Sequence, residues 1–274
     1  MSNDMRIAFI GGGNMASALI GGLAGAVGEN GHLHVVDVDA GARERLRRQY
    51  GVTSAERIDA SIDHHDVLVL AVKPQQMREV AKQLLPHLHG QLVLSIAAGI
   101  RAVDLSRWLG GHAAIVRCMP NTPALIGKGM TGMAALAGVT QAQRDAAQAI
   151  MQAVGATMWL DNEDLIDGVT AISGSGPAYV FYFIEAMQQA ALEMGLSAAQ
   201  GAELASATFI GAAELAAQSQ EPVALLRERV TSKGGTTHAA LASMERDQVA
   251  QAIVRALRAA AERGRELGEE FGRD

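Results

Sequence analysis

The sequence predicts an α/β fold: a doubly wound parallel sheet at the amino terminus, followed by an all-helical domain. Three observations carry this. Short apolar runs alternate with helical stretches over roughly the first 118 residues. A glycine-rich turn follows the first run directly, and after Leu160 strand-like segments almost disappear. Alternation of strand and helix implies βαβ units with right-handed crossovers. The expected domains are residues 1–160, which bind a dinucleotide, and 161–274, which are helical.

Met5–Ile10 (MRIAFI) reads as the first strand and Met15–Ala26 as a small-residue helix. His34–Val38 is the second strand, followed by the arginine-rich helix Ala42–Tyr50. Asp66–Val72 (DVLVLAV) is almost continuously apolar, as a parallel strand covered on both faces requires. Gln91–Ile96 and Ala114–Cys118 are further strands, with helices at Gln75–Leu85 and Ala102–Leu109. Three long helices then follow: Pro177–Met194, Ala198–Ala217 and Asp247–Leu267. Glu163 and Asp164 stand where a helix dipole favours acids. The face formed by Tyr179, Phe183, Met187, Ala190 and Ala191 is apolar at helical spacing. A domain so rich in small and apolar residues is expected to bury part of itself against another subunit.

Composition narrows the function. With 274 residues the chain can bury two modest cores, and 19% charged residues make disorder a poor description. A net charge of −6 argues against nucleic acid as the main partner. The single cysteine, Cys118, excludes an intramolecular disulfide, fits a reducing cytoplasm, and reads as a buried, inert thiol. No charge interrupts Ile7–Gly28, but the triplet Gly11–Gly13 breaks an insertion helix, so no membrane or leader role is expected. His32/His34 and His87/His89 lack acids or cysteines at ligand spacing, so they read as solvated histidines and no metal is expected.

Gly11-Gly12-Gly13-Asn14-Met15-Ala16 fits G-x-G-x-x-A after the strand ending at Ile10. Gly11 permits the tight turn, Gly13 admits a pyrophosphate to the backbone, and Ala16 lets the helix pack on the strand. Asp37, near the end of the second strand, stands where an adenosine ribose is read. A carboxylate there binds a 2′-hydroxyl and repels a 2′-phosphate, while Arg43 and Arg45 could offset that repulsion. Ala71, Val72, Lys73 and Pro74, then Ala97 and Ala98, occupy later strand-end loops, where open sheets bind ligands. Ala97 and Ala98 are small enough for a nicotinamide to lie against the sheet. Lys73 reads as a structural or phosphate-side residue rather than a catalytic lysine. The expected cofactor is NADPH or NADH.

Two loops suit a small anion. Ser173-Gly174-Ser175-Gly176-Pro177 ends in a proline suited to a helix start, and Thr231-Ser232-Lys233-Gly234-Gly235-Thr236-Thr237 forms a second nest before a helix. Hydride transfer to a compact carboxylate-bearing molecule is the chemistry this pairing suggests.

GGGNMA, AVKPQ, SIAAGI, RCMPNTP, AISGSGPAYVFY and TSKGGTT occur in the order seen in pyrroline-5-carboxylate reductases, which the chain resembles from Ile7 to about Leu241. The resemblance implies a Rossmann domain followed by a helical dimerisation domain, and a dimer or ring of dimers. It implies reduction of the cyclic imine 1-pyrroline-5-carboxylate by NAD(P)H, giving L-proline. By position, Ser232, Gly234, Gly235 and Thr236 would hold the substrate carboxylate. Thr237 would bond the ring nitrogen and relay a proton, and Ser173 and Ser175 would line the pocket or its helix start. The family usually has proline at the position of Lys233, and often an uncharged or basic pair at Asp37-Val38, which turns the expectation toward NADH. Two other readings are a β-hydroxyacid-dehydrogenase-like oxidoreductase and a nucleotide-sensing regulator without turnover. The first relies on a lysine on a helix that follows a glycine-rich loop with a nearby asparagine. None of Lys73, Lys82, Lys128 or Lys233 sits on an obvious mid-domain helix of that kind. The intact second nest speaks against the regulator.

Overall fold

A computed structural model describes residues 5–25 and 32–273. The end of the expected first helix, Ala26, lies outside them. The chain forms two compact units: residues 1–175 with 260–274, and residues 176–259.

The first unit holds an eight-stranded sheet. Its strands are β1 (Ile7–Ile10), β2 (Leu33–Val36), β3 (Thr53–Ala55), β4 (Val67–Leu70), β5 (Leu92–Ser95), β6 (Ile115–Met119), β7 (Gly129–Ala135) and β8 (Gly155–Trp159). Their spatial order is β3-β2-β1-β4-β5-β6-β7-β8, parallel except between β6 and β7. The five expected strands are present. β3, β7 and β8 are additional, because GMTGMAA and GATMW carry too much glycine and alanine to announce themselves as strands.

Strand alternation sends successive side chains to opposite faces, and both faces are covered. Ile7 and Phe9 join Leu19, Leu23, Leu46 and Ile150 in one core, under α1 (Asn14–Ala24), α2 (Ala40–Tyr50) and α5 (Gln141–Gln152). Ala8 and Ile10 join Met77, Leu84 and Leu105 in the other, under α3 (Met77–Leu84) and α4 (Ala102–Trp108). The helix numbered α5 here returns the chain from β7 to its parallel neighbour β8.

Beyond β8 the chain is helical: α6 (Leu165–Val169), α7 (Gly176–Glu193), α8 (Ala198–Gln218), α9 (Val223–Arg229), α10 (Thr236–Arg246) and α11 (Val249–Gly272). The compact units divide at Ser175/Gly176 rather than at 160, because β7, α5, β8 and α6 all pack with the sheet. The carboxyl end of α11 also belongs to the first unit. Its glycines at 264, 268 and 272, four residues apart, make one smooth face against Asp167, Arg101 and Asp104. Glycine disfavours a helix interior by about 1 kcal/mol, and close approach is the compensation.

In the second unit α7 and α8 meet through small residues. Ala191, Gly201 and Ala205 are buried, and a β-carbon at Gly201 would stand 3.0 Å from that of Ala191. Phe183 and Phe209 pack with ring centroids 6.4 Å apart. Yet Tyr182 (72% exposed), Val223 (68%), Val230 (65%) and Ile210 (62%) lie open. So few buried side chains cannot support four helices of this length, and the open apolar surface is of the kind that a partner covers. No helix among the described residues is long and apolar enough to cross a membrane.

Two expectations about side chains need correction. Glu163 does stand before a helix, but its carboxylate caps a different one, accepting the Ala102 N–H at the start of α4 (2.6 Å). His34 is buried rather than solvated, with Nδ1 2.8 Å from Thr53 Oγ1 and Nε2 3.3 Å from Ser61 Oγ. It lies on the inside strand β2, flanked by β1 and β3, and is only 6% exposed. His87 is half-buried against Asp63 (2.7 Å).

Candidate cofactor and substrate sites

The carboxyl ends of β1, β2, β4, β5 and β6 form one edge of the first unit, and the strand order reverses between β1 and β4. That reversal is where open α/β sheets bind ligands. Gly11 leaves β1 with φ +102°, and a β-carbon there would stand 2.7 Å from the Ala71 carbonyl oxygen. Only glycine allows the β1 and β4 exit loops to meet this closely. Gly12 donates its N–H to Asp37 Oδ2 at 2.6 Å, tying the loop to the end of β2. Around Gly13 there is open space, since a β-carbon would meet nothing within 4 Å. Ala16 is fully buried beneath the helix, and the Ile10 side chain is also in the core, so Ile10 can face a ligand only through its backbone.

Asn14 is exposed and Met15 half-buried at the start of α1. Ala71, Val72 and Pro74 are half-buried on the β4 loop, and Lys73 is exposed. At the β5 exit Ala98 is half-buried, whereas Ala97 is buried in the second core. Ala97 therefore offers backbone rather than a methyl surface. These placements fit a dinucleotide: an open, glycine-lined approach leads to a helix start whose amides no side chain caps.

Capping separates this helix from most others. Five helices of eleven residues or more enter from an extended residue: α1, α2, α5, α8 and α10. Asp39, Thr140 and Ser197 cap α2, α5 and α8 with their side chains. The remaining two, α1 and α10, start from Gly13 and Gly235 with no side-chain cap. Their first-turn N–H groups lack intrahelical partners by geometry and remain available to an anion.

α10 follows the second nest. Gly234 takes φ +75°, and Gly235 donates to the Ser232 carbonyl at 3.0 Å. A β-carbon at Gly235 would lie 2.8 Å from Ser232 Oγ, so the loop is folded tightly on itself. Thr236 and Thr237 are the first two helical residues; Thr236 is exposed and Thr237 half-buried. Ser232, Lys233 and His238 are exposed.

The first serine loop meets expectation only in part. Ser175 stands directly before α7 and Pro177 lies in its first turn, as expected, but Ser173 lies within a separate turn. Residues 170–174 form a π-helical turn that joins α6 to α7, with Ser175 N–H donating to Thr170 O at 2.8 Å. Pro177 explains the widening: it has no N–H for the Ser173 carbonyl four residues back. Asn121 Nδ2 donates to that carbonyl instead, at 3.0 Å, while Asn121 Oδ1 accepts the Met130 N–H at 2.9 Å. Gly174 lies on Met119, so the turn sits over the carboxyl end of β6, on the same edge as the cofactor loops. The Ser173 hydroxyl donates to Val169 O at 3.1 Å, leaving its lone pairs to accept. Asn121 is the residue that sequence reasoning missed; its signal was a polar residue directly after the buried strand in RCMPNTP.

Residues 163–267 match the family model described as pyrroline-5-carboxylate reductase dimerisation, and residues 6–99 match one described as NADP oxidoreductase, coenzyme F420-dependent. The pyrroline-5-carboxylate reductase of Pseudomonas aeruginosa is 44% identical over 97% of this chain and 98% of its own length. The Coxiella burnetii enzyme superposes with a TM-score of 0.90 at 38% identity, covering 96% of this chain and 98% of that one. The Plasmodium falciparum enzyme, solved with NADP bound, gives 0.85 at 29% identity, covering 97% of this chain and 99% of that one. Open cofactor edge, tight threonine nest and full-length similarity agree: the chain belongs to the pyrroline-5-carboxylate reductase family.

Proposed function

We propose that this protein reduces the C=N bond of 1-pyrroline-5-carboxylate with NAD(P)H to give L-proline, acting as a homo-oligomer in the cytoplasm. The observation that carries the reading is the pair of uncapped glycine-led helix starts at α1 and α10, each at a loop expected to hold an anion. When bound, the nicotinamide supplies the hydride.

The chain's own residues do the rest. The first-turn amides of α1, approached over Gly13, hold the pyrophosphate, and Asp37 receives the adenosine ribose. Ala71–Pro74, with the backbone of Ala97 and Ala98, sets the position of the nicotinamide end. Ser232, Gly234, Gly235 and Thr236 receive the substrate carboxylate at the positive end of α10. A protonated imine is already electrophilic, so no strong base is needed and positioning supplies most of the rate. The Thr237 hydroxyl bonds the ring nitrogen and relays a proton from water. The family resemblance also assigns Ser173 and Ser175 to substrate binding, and the lone pairs of Ser173 remain to accept. The open apolar faces of α7–α9 are the surface a second copy covers, and rings of dimers extend that association.

Thr237→Ala and Thr237→Ser test the assignment. Loss of a proton-relaying group lowers kcat by about a hundredfold, with a smaller rise in KM. Thr237→Ser restores most of the rate, since it keeps the hydroxyl. Unchanged turnover of the imine by Thr237→Ala would remove Thr237 from the chemistry.

A further inference from the structure

We propose that Asp37 makes this protein selective for NADH over NADPH, an inference that rests on the reductase reading. The Asp37 carboxylate is fixed rather than free to swing. Oδ2 accepts the Gly12 N–H at 2.6 Å and Oδ1 accepts the Asp39 N–H at 2.8 Å. It therefore stands beside the dinucleotide loop, immediately beyond the end of β2, with lone pairs left for ribose hydroxyls.

The groups that would welcome a 2′-phosphate are already engaged. The start of α2, a natural anion site, is closed by Asp39, whose Oδ1 accepts the Gly41 N–H at 2.8 Å. Arg43 Nη1 donates to the Asp37 carbonyl at 2.6 Å, and Arg45 Nη2 to the Gly12 carbonyl at 3.3 Å. Glu44 is held by Arg47 and Arg48. Both guanidiniums are thus tethered to backbone carbonyls beside a fixed carboxylate. A 2′-phosphate brings close to two negative charges against a pinned carboxylate, whereas a 2′-hydroxyl gains a charge-assisted hydrogen bond from it. Val38, 78% exposed next in the chain, offers the adenine an apolar face.

The test separates binding from turnover. Calorimetry on the cofactor-free protein compares ADP-ribose with 2′-phospho-ADP-ribose, for the natural chain and for Asp37→Asn and Asp37→Ser. The natural chain binds ADP-ribose at least about tenfold more tightly, and both variants narrow or reverse that ratio. Asp37→Asn keeps an acceptor for Gly12 and guards against misfolding, which a melting curve checks. Equal or tighter binding of the phosphorylated ligand by the natural chain overturns the proposal, as does a ratio unmoved by either variant. Initial rates with NADH and NADPH on the imine form the second arm. NADPH preference overturns the selectivity while leaving the reductase reading intact. No imine reduction with either cofactor, alongside selective ADP-ribose binding, overturns the reductase reading instead.

Discussion

Replacing Arg117 with methionine tests whether the packing of α4, α6 and the end of α11 on the sheet of the first unit is electrostatic. Arg117 lies on β6 with its side chain 4% exposed, 3.0 Å from Glu163 and 3.7 Å from Asp167. Glu163 also caps α4 through the Ala102 N–H, and Asp167 rests against Gly264 of α11. One guanidinium thus ties together β6, α4, α6 and α11. Removing one member of a buried pair costs about 3–5 kcal/mol, because the partner charge is left behind without compensation. Here both acids are 20% exposed, so water recovers part of that, and about 2–4 kcal/mol is expected. Glu163→Gln keeps an acceptor for Ala102 and costs about 1–2 kcal/mol. Urea melts at one fixed protein concentration measure both, since the stability of an oligomer depends on concentration. The double variant completes a cycle, with a coupling of about 1 kcal/mol or more. A loss below about 0.5 kcal/mol for Arg117→Met, or strict additivity in the cycle, would refute an electrostatic joint.

The remaining predictions concern titration and reactivity. Burial, then the neighbouring His65, holds His34 below the ordinary histidine range, with Asp59 opposing; burial, then backbone and Arg6 effects that oppose each other, likewise lowers His65. The rings lie 5.6 Å apart. Because the unfolded chain binds these protons more readily, their stabilisation is complete above about pH 6.5 and falls as pH drops below it, by up to about 1.4 kcal/mol per pH unit for each ring. Urea midpoints from pH 7.5 to 5 should show this fall, and His34→Gln should flatten it; a flat natural profile contradicts the placement. Burial pushes the Cys118 thiol up to about 12, so iodoacetamide at pH 8 should label it only in denaturant. Labelling of the native protein at the rate of a free thiol would contradict its burial.

What could be read from sequence followed locality. G-x-G-x-x-A was legible because each residue acts within its own turn, and Gly11, Gly13 and Ala16 stand as that pattern requires. The all-buried strands β1, β2, β4 and β5 announced themselves as apolar runs. β7 and β8 did not, because glycine and alanine break up the apolar run in both. Pro177 was read correctly as part of a helix start, but the π-turn before it was not legible. That turn depends on the Asn121 side chain, 52 residues away, which donates to the Ser173 carbonyl. Glu163 stands before α6 as the dipole rule expects, but its capping of α4 was not legible, because Ala102 and Arg117 lie 61 and 46 residues away.

The most direct measurement incubates the purified protein with 1-pyrroline-5-carboxylate and either nicotinamide, following cofactor oxidation and L-proline together. One proline should form for each cofactor oxidised, with no oxidation when the imine is omitted. A folded, nucleotide-binding protein that forms no proline with either cofactor would contradict the account.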